Sequence, residues 1–303
     1  MPDSLKVLSA IAMSHRSALR FAVAFLLVFV AFTADATTQT QGELASLSAT
    51  LNNGNSERKR DALHRIRNIE TPEASILAIS ALKDADEAVR ATAATSVVFI
   101  DAELAVNALL PLLDDRSPFV RREAAYALGI VANEAASQRL IRTFQNDKDL
   151  EVRAAATIAL GTAGGVNAIP ALIALLQKKP TEDTEFLRRS AARSIGQIAE
   201  AKRLIEITTV TPANFLPEKF KTKTESDEVD ITTSYPQFRP ALKVLTDVLA
   251  NKAEADDTRR EAAFALGSIG NVLSTAALRS NLNSSDPYLS EISKEALLKL
   301  DLP

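Results

Sequence analysis

Cysteine and tryptophan are both missing from this 303-residue sequence, and histidine occurs only twice, at His15 and His64. The lack of cysteine excludes disulfides, thiolate metal sites and a cysteine nucleophile. With so little histidine, the usual nucleophile–base triads are nearly excluded, and the one metal site left open is an all-carboxylate site for Ca²⁺ or Mg²⁺, although the Asp114-Asp115 and Asp256-Asp257 pairs are better explained as turn residues and caps. The sequence therefore predicts no catalytic, cofactor-binding or metal-binding residues.

Aromatic residues are also scarce, at 5% of the chain, and the formal net charge is only −3. Hydrophobic residues nevertheless make up 47%, so the core has to be built from alanine, leucine, isoleucine and valine, which suits closely packed helices. A protein whose main partner is nucleic acid carries a strong positive charge. The composition therefore predicts a helical protein that does not bind nucleic acid.

One unbroken apolar run lies near the N-terminus, from Phe21 to Phe32. Arg16 and Arg20 precede it, and Ala-Asp-Ala follows at residues 34–36. This order is typical of a secretory signal peptide, and the run is shorter than the roughly 20 residues that cross a bilayer. We therefore expect residues 1–36 to be a signal cleaved after Ala36, and the mature chain to be periplasmic or extracellular. The alternatives are an uncleaved anchor and a true start at Met13.

A ten-residue motif recurs along the rest of the chain, and its clearest copy is VRREAAYALG, which begins at Val120. Other copies begin at Arg58, Val89, Val152, Leu187, Thr258 and Leu289. Successive copies start 31, 31, 32, 35, 71 and 31 residues apart, and a fixed period of this size is typical of a solenoid. Apolar residues three and four apart predict one helix (B) per motif, with a second helix (A) before it. The predicted fold is all-α, a right-handed α-solenoid superhelix of about seven helical-hairpin repeats over residues 37–303.

The pattern D-x-x-x-x-V-R-x-x-A-A-x-A-L-G occurs as Asp115–Gly129, and as Asp147–Gly161 with Thr157 in place of the second alanine of the pair. It resembles the HEAT repeats of the phycobilisome-lyase-like (PBS lyase HEAT-like) type, and the resemblance extends over residues 43–302 apart from one interruption. Proteins with such repeats include bilin lyases, an iron-dependent hydroxylase and non-catalytic binding scaffolds. The hydroxylase binds iron through His-Glu pairs, and neither histidine here is followed by glutamate. Bilin lyases act in the cytosol, and the predicted secretory signal argues against that function.

Three recurring features predict how the repeats are held together. Short oxygen-bearing side chains before each motif are predicted N-caps of helix B: Asp86, Ser117, Asp149, Thr184 and Asp286. One glycine per motif is predicted to admit helix A of the next repeat: Gly129, Gly161, Gly196 and Gly267. One arginine per motif is predicted to join turn acids in a structural charge ladder: Arg90, Arg121, Arg153, Arg188 and Arg259, with Asp84, Asp115, Asp147 and Glu182.

The 71-residue interval exceeds the usual period by 40 residues (71 − 31). Residues Glu200–Ile207 resemble Ala136–Thr143 and predict an additional helix A. Thr209–Gln237, rich in threonine, lysine and glutamate, predicts an insertion. Weak alternation in Ile205–Val210 and Val229–Tyr235 permits a β-hairpin, and an irregular loop is the alternative. The insertion either contributes to a binding face or has no role.

In HEAT arrays the B helices line the concave surface, so non-core motif positions should face a partner. Exposed aromatic residues and arginine are common anchors of interfaces. The predicted partner-binding stripe consists of Tyr126, Ile158, Arg193, Phe264, Arg122, Arg189 and Arg260. Its arginines would favour an acidic peptide. The alternative is that these side chains cover the seams between helices inside the array.

Together these features predict an exported, non-catalytic scaffold that binds an unidentified protein or peptide through its concave surface, without enzyme activity or a cofactor. Two other functions stay open. One is an enzyme or enzyme subunit of lyase type, with a site completed by the insertion at 209–237. The other is a structural protein that associates with itself.

Overall fold

The computed structural model describes residues 40–208 and 230–300, and within these ranges the protein consists of α-helices, short 3₁₀-helices and turns. The backbone divides into two compact units between Ala62 and Leu63, a boundary that lies within helix α2. The helices are α1 (40–53), α2 (Ser56–Ile69), α3 (Pro72–Ser75), α4 (Glu87–Ser96), α5 (Ala102–Leu109), α6 (Pro118–Val131), α7 (Ser137–Asn146), α8 (Leu150–Ala163), α9 (Ile169–Leu176), α10 (Glu182–Thr208), α11 (Arg239–Ala250), α12 (Asp256–Ile269), α13 (Thr275–Arg279) and α14 (Pro287–Leu298).

In the described part of the second unit, helices α3 to α14 form six consecutive A–B pairs, in which the even-numbered helices are the B helices. In the second unit, each B helix from α4 to α12 packs on the next B helix and on its own helix A. The 3₁₀-helices Ile76–Lys83 and Leu110–Asp114 complete helix A of two repeats. The predicted all-α solenoid of helical-hairpin repeats is confirmed.

The starts of the B helices depend on side-chain caps. Three of the predicted caps accept hydrogen bonds from amides of the first turn: Asp86, Asp149 and Asp286. Ser117 stands at the N-cap position of α6, but its side chain makes no capping hydrogen bond. The prediction for Thr184 is wrong because α10 begins two residues earlier, at Glu182, and the Thr181 amide donates to Thr184 Oγ1 at 3.0 Å.

The recurring glycines allow the backbones of neighbouring B helices to approach each other. A Cβ on Gly129 would lie 3.0 Å from the Cα of Ala159 in α8, and one on Gly267 would lie 2.7 Å from the Cα of Ala296 in α14. The predicted close approach is therefore present, but the prediction that helix A makes it is wrong. The neighbour is helix B of the following repeat, because the B helices pack directly against one another.

The arginine ladder joins each turn to the next. The Nε and Nη2 atoms of Arg90 both donate to the Asp115 carboxylate at 2.8 Å, and Arg121 bonds Asp147 in the same way. Arg188 forms the equivalent pair with Glu254. The structural ladder is confirmed, and the acid in each of these pairs belongs to the following repeat. The assignment of Glu182 is wrong, because Glu182 begins α10 while Arg153 bonds the Phe144 carbonyl and Arg188 bonds Glu254.

The ladder has two altered positions. Arg153 donates to the Phe144 carbonyl at 2.9 Å, since the next turn is Gln-Lys-Lys-Pro at residues 177–180 and offers no acid. Arg259 donates to Asn281 Oδ1 and Asp256, whereas the adjacent Arg260 takes over the bidentate bond to the next repeat, at Asp286. The ladder therefore shifts by one residue between α12 and α14.

Helix α10 is longer than the other B helices because no glycine or proline interrupts residues 197–208. The predicted separate helix A at Glu200–Ile207 is therefore wrong, since these residues continue α10. The β-hairpin is wrong for its described part: 205–208 are helical and 230–235 form turns. The rest of the predicted insertion, 209–229, lies outside the described residues, as does the predicted signal at 1–36.

Where the chain is described, no helix has both the length and the apolar character that crossing a membrane requires.

Candidate functional site

The seven residues of the predicted stripe lie at the third or the seventh motif position of four B helices that pack in succession. They are Arg122 and Tyr126 on α6, Ile158 on α8, Arg189 and Arg193 on α10, and Arg260 and Phe264 on α12. Ile158 is exposed, at 37% of its possible surface, whereas Tyr126 and Phe264 are half-buried.

Two of these residues meet directly. The Arg193 guanidinium lies 5.7 Å from the centre of the Phe264 ring, and Lys299 Nζ lies 5.2 Å from the same ring. A Cβ on Gly196 would lie 2.5 Å from Phe264 Cε1, so this ring also fills the seam between α10 and α12. Phe264 thus combines a packing position with a cation–π contact.

Three exposed aromatic rings lie beside the stripe. Each belongs to the residue that directly precedes the first residue of a motif. The rings are those of Phe119, Phe186 and Tyr288. Each ring is covered by one arginine of the predicted stripe. Arg122 lies 5.2 Å from the centre of the Phe119 ring, Arg189 lies 4.8 Å from Phe186, and Arg260 lies 5.0 Å from Tyr288.

The same arginines are paired with carboxylates. Arg122 binds Glu151, Arg189 donates to Asp257 Oδ2 at 2.8 Å, and Arg260 donates to Asp257 Oδ1 at 2.6 Å. Asp257 is therefore shared by arginines of two neighbouring repeats.

Arg260 also forms a bidentate bond with Asp286. The hydrogen bonds from Arg260 hold the pKa of the Asp286 carboxyl below its ordinary value. Arg193 is paired as well, with Glu261 at 3.1 Å. The positive charge predicted for the stripe is thus balanced by carboxylates of the same face.

We call the resulting set the arginine–aromatic row: Phe119, Arg122, Glu151, Phe186, Arg189, Asp257, Arg260 and Tyr288. It presents flat apolar rings next to guanidinium groups that already bind carboxylates, and it can therefore stack on a planar conjugated molecule and exchange a protein carboxylate for one on a ligand. Sequence reasoning missed its aromatic and acidic members. The available signal was helical spacing, because Phe119 stands three residues before Arg122 and Phe186 three before Arg189.

Across residues 40–208 and 230–300, no three His, Asp or Glu side chains are grouped closely enough to hold a metal ion. Asp230, at the described end of the predicted insertion, is not part of the arginine–aromatic row either. Asp230 instead accepts a hydrogen bond from Asn271 Nδ2 at 2.7 Å in the turn after α12.

Two family models match the chain. The description "HEAT repeats" applies to residues 75–161, and "PBS lyase HEAT-like repeat" applies to residues 152–178 and 258–284. The predicted resemblance is confirmed: the chain carries HEAT repeats, two segments of which are of the PBS lyase type.

Two curated relatives are similar over part of the chain. A bilin biosynthesis protein, PecE, from Nostoc sp. PCC 7120 is 32% identical over 122 residues, or 38% of this chain and 48% of the relative. A phycocyanobilin lyase subunit alpha from Picosynechococcus sp. is 46% identical over 84 residues, or 25% of this chain and 31% of the relative. The chain thus spans about half of the first relative and about a third of the second.

Solved structures with similar backbones have low sequence identity. The CpcE–CpcF complex of a Nostoc phycocyanin lyase is 21% identical, with 84% of this chain and 86% of that chain covered and a TM-score of 0.45. Human deoxyhypusine hydroxylase is 20% identical, with 88% and 98% covered and a TM-score of 0.40.

The relatives correct the functional prediction. The prediction of a non-catalytic scaffold is wrong, and so is the prediction that the chain is no enzyme, because one curated relative is named for bilin biosynthesis and the other as a phycocyanobilin lyase subunit. The names of these relatives do not bear on the predicted export. Of the functions considered, the enzyme subunit of lyase type agrees with these names. The word subunit in the second relative's name also agrees with the predicted protein partner.

Proposed function

We propose that this protein is a subunit of a lyase-type enzyme that acts on a bilin. The observation that carries the proposal is the 46% identity to a phycocyanobilin lyase subunit alpha over 84 residues. The second relative, named for bilin biosynthesis, supports the same class of substrate.

The arginine–aromatic row has the chemistry that such a substrate requires. A bilin is an open-chain tetrapyrrole, with a flat conjugated system and two propionate groups. Phe119, Phe186 and Tyr288 offer rings for stacking. Arg189 and Arg260 offer guanidinium donors that already bind a carboxylate, that of Asp257. In this proposal the bilin lies along the row, with its propionates on these arginines. Tyr126, Ile158, Arg193 and Phe264 line its edge, at the seventh motif position.

Catalysis of the lyase type forms or breaks a bond by addition to, or elimination from, a double bond. Addition of a thiol to a conjugated bilin transfers the sulfur to carbon and the thiol proton to the bilin, and needs no oxidant. The chain has no cysteine of its own, so the thiol belongs to an acceptor. We infer a second protein subunit as partner, in line with the relative's name.

Export is a separate proposal, carried by residues 16–36 alone. It places the mature chain in the periplasm or outside the cell, after cleavage behind Ala36, which differs from the cytosolic location of bilin lyases.

The test is titration of the purified chain with phycocyanobilin, followed by the absorption spectrum of the bilin. The expected result is a saturable change that Phe186→Ala and Arg189→Ala each weaken, while Arg116→Ala, an exposed turn arginine outside the row, leaves it unchanged. Enzyme action is measured as the rate at which a cysteine-containing peptide gains the mass of the bilin. An unchanged spectrum at excess bilin, together with an unchanged rate, would refute the proposal.

A further inference from the structure

A second cavity lies away from the arginine–aromatic row, beside helix α11. It has a volume of about 430 Å³, within the range of small-molecule sites. Three parts of the chain form its wall: the turn at Thr232, the first two turns of α11 with Arg239 and Leu242, and the turn after α12 with Asn271 and Leu273.

The wall is fixed by buried polar contacts. Asn271 donates to Asp230 Oδ2 at 2.7 Å and accepts from the Leu273 amide at 2.9 Å, so it joins the two turns. Thr232 and Asn271 are both buried, and Ile231 donates to the Ile269 carbonyl at 3.4 Å. Asn133, in the turn after α6, likewise accepts a hydrogen bond from the amide two residues further on, that of Ala135. No insertion precedes the helix that follows this turn. The cavity is thus particular to the repeat where the chain returns from the insertion.

The cavity contains one cation with open donors. Arg239 Nε donates to the Thr232 carbonyl at 3.2 Å, which fixes the direction of the guanidinium. Its Nη1 and Nη2 atoms have no acceptor in the described part of the chain. Lys243, one turn further along α11, is already paired with Asp247 at 2.6 Å. A carboxylate on Arg239 would therefore gain charge-assisted hydrogen bonds without displacing another acid.

Two leucines give the cavity an apolar part. Leu242 lies one helical turn after Arg239 and is only 8% exposed, whereas Leu273, from the turn after α12, is 76% exposed, more than any other large apolar side chain among the described residues. An apolar chain laid between them would cover surface that is now in water.

We propose that this cavity binds a small amphipathic monocarboxylate, such as a medium-chain fatty acid. The carboxylate takes the open side of the Arg239 guanidinium, and the alkyl chain lies between Leu242 and Leu273. This site is independent of the bilin proposal, since it shares no residue with the arginine–aromatic row.

The experiment is calorimetric titration of the full chain with decanoate, and with decanol as the uncharged counterpart. We expect saturable binding of one decanoate, with an affinity about ten-fold higher than that of decanol, because a hydrogen bond to a charged group contributes on that order. Arg239→Ala should lower the decanoate affinity about ten-fold and leave decanol unaffected. Leu273→Ser should weaken both ligands.

Two variants serve as controls. Arg142→Ala removes an exposed arginine from helix α7 and should not change decanoate binding. If it lowered the decanoate affinity as much as Arg239→Ala does, the binding would be general charge attraction and the proposal would be overturned. Arg189→Ala, in the bilin row, should also leave decanoate binding unchanged, so the two proposals fail separately. Absence of saturable decanoate binding, or equal affinity for decanol, would overturn the site. Arg239 is exposed, and thermal unfolding checks that its variant is folded.

Discussion

Arg188 and Glu254 lie 66 positions apart in the sequence, yet they form an ion pair in which the two side chains are only 2% and 3% exposed. Arg188 Nη1 also donates to the carbonyls of Leu175 and Leu176, so the guanidinium is enclosed by acceptors. The pair joins the α10 repeat to the repeat that follows the insertion.

Replacing Arg188 should therefore be costly. Arg188→Met leaves the Glu254 carboxylate buried without its cation, and we expect a loss of about 3–5 kcal/mol in the free energy of unfolding. Urea denaturation measures it. The matched control is Arg193→Met on the same helix, whose pair with Glu261 is more exposed and should contribute less than about 1 kcal/mol. Equal losses for both variants would contradict this account.

The ladder carboxylates predict loss of stability in acid. Burial raises the pKa of Asp115 and Asp147, but the hydrogen bonds from Arg90 and Arg121, together with backbone hydrogen bonds and the attraction of the same arginines, outweigh it, and both pKa values fall below the ordinary value. A lowered folded-state pKa means that the stabilisation is complete above the unfolded-state pKa of about 4 and is lost as the pH falls through the lower folded-state pKa.

The corresponding variant is Asp147→Asn. Its melting temperature should fall less steeply below about pH 4 than that of the natural protein, since one of the titrating groups is gone. Scanning calorimetry across this range measures the slope, with Lys148→Gln in the same turn as control. A slope identical to that of the natural protein would show that the Arg121–Asp147 bond does not contribute.

A methyl group on Gly267 should destabilise the protein. Its Cβ would lie 2.7 Å from the Ala296 Cα, a backbone atom that cannot move without displacing α14. We expect Gly267→Ala to cost about 1–3 kcal/mol. Gly42→Ala, in α1, is the control, because no atom lies within 4 Å of its Cβ and the change should stabilise the helix by up to about 1 kcal/mol. Thermal unfolding of the two variants should show shifts of opposite sign.

Asp257 is predicted to compete with the carboxylates of a bilin. Asp257→Asn removes the charge shared by Arg189 and Arg260, so both guanidiniums become better donors for propionates. Under the proposed function we expect the affinity for phycocyanobilin to rise several-fold, on the order of one charged hydrogen bond. Absorption titration measures it, and a lower affinity would mean that Asp257 itself holds the bilin.

The N-terminal segment has its own test. Expression of the complete sequence in a bacterium with a general secretion system should release a chain that begins at Thr37 and is found in the periplasmic fraction. Intact mass spectrometry reads the cleavage site. Retention of residues 1–36 in the membrane fraction would establish the uncleaved anchor instead.

The helix pairs were accessible to sequence reasoning because a burial pattern such as Val120, Ala124, Ala127 and Leu128 is local, and its repetition removes ambiguity. The neighbour of each glycine was not, because a small residue indicates a close approach without saying which helix makes it. The Gly129–Ala159 contact settles that point only in three dimensions.

Only part of the arginine–aromatic row could be predicted from the sequence. Arg122 and Arg189 stand inside the motif, whereas Phe119 and Glu151 stand one residue outside it and lie on different repeats. The function was least accessible. The missing cysteine and the scarce histidine pointed away from an enzyme, but the proposed lyase subunit, whose acceptor would supply the thiol, needs neither residue.

The arginine ladder gives the array a direction. Four of its arginines, Arg90, Arg121, Arg188 and Arg260, reach forward to an acid of the following repeat. A fragment that ended after α10 would keep Arg188 on the Leu175 and Leu176 carbonyls and lose Glu254. A fragment that began after α4 would instead keep Asp115 and lose Arg90. Shortened versions of this protein should therefore carry a ladder arginine without its acid when repeats are removed from the back, and a ladder acid without its arginine when they are removed from the front.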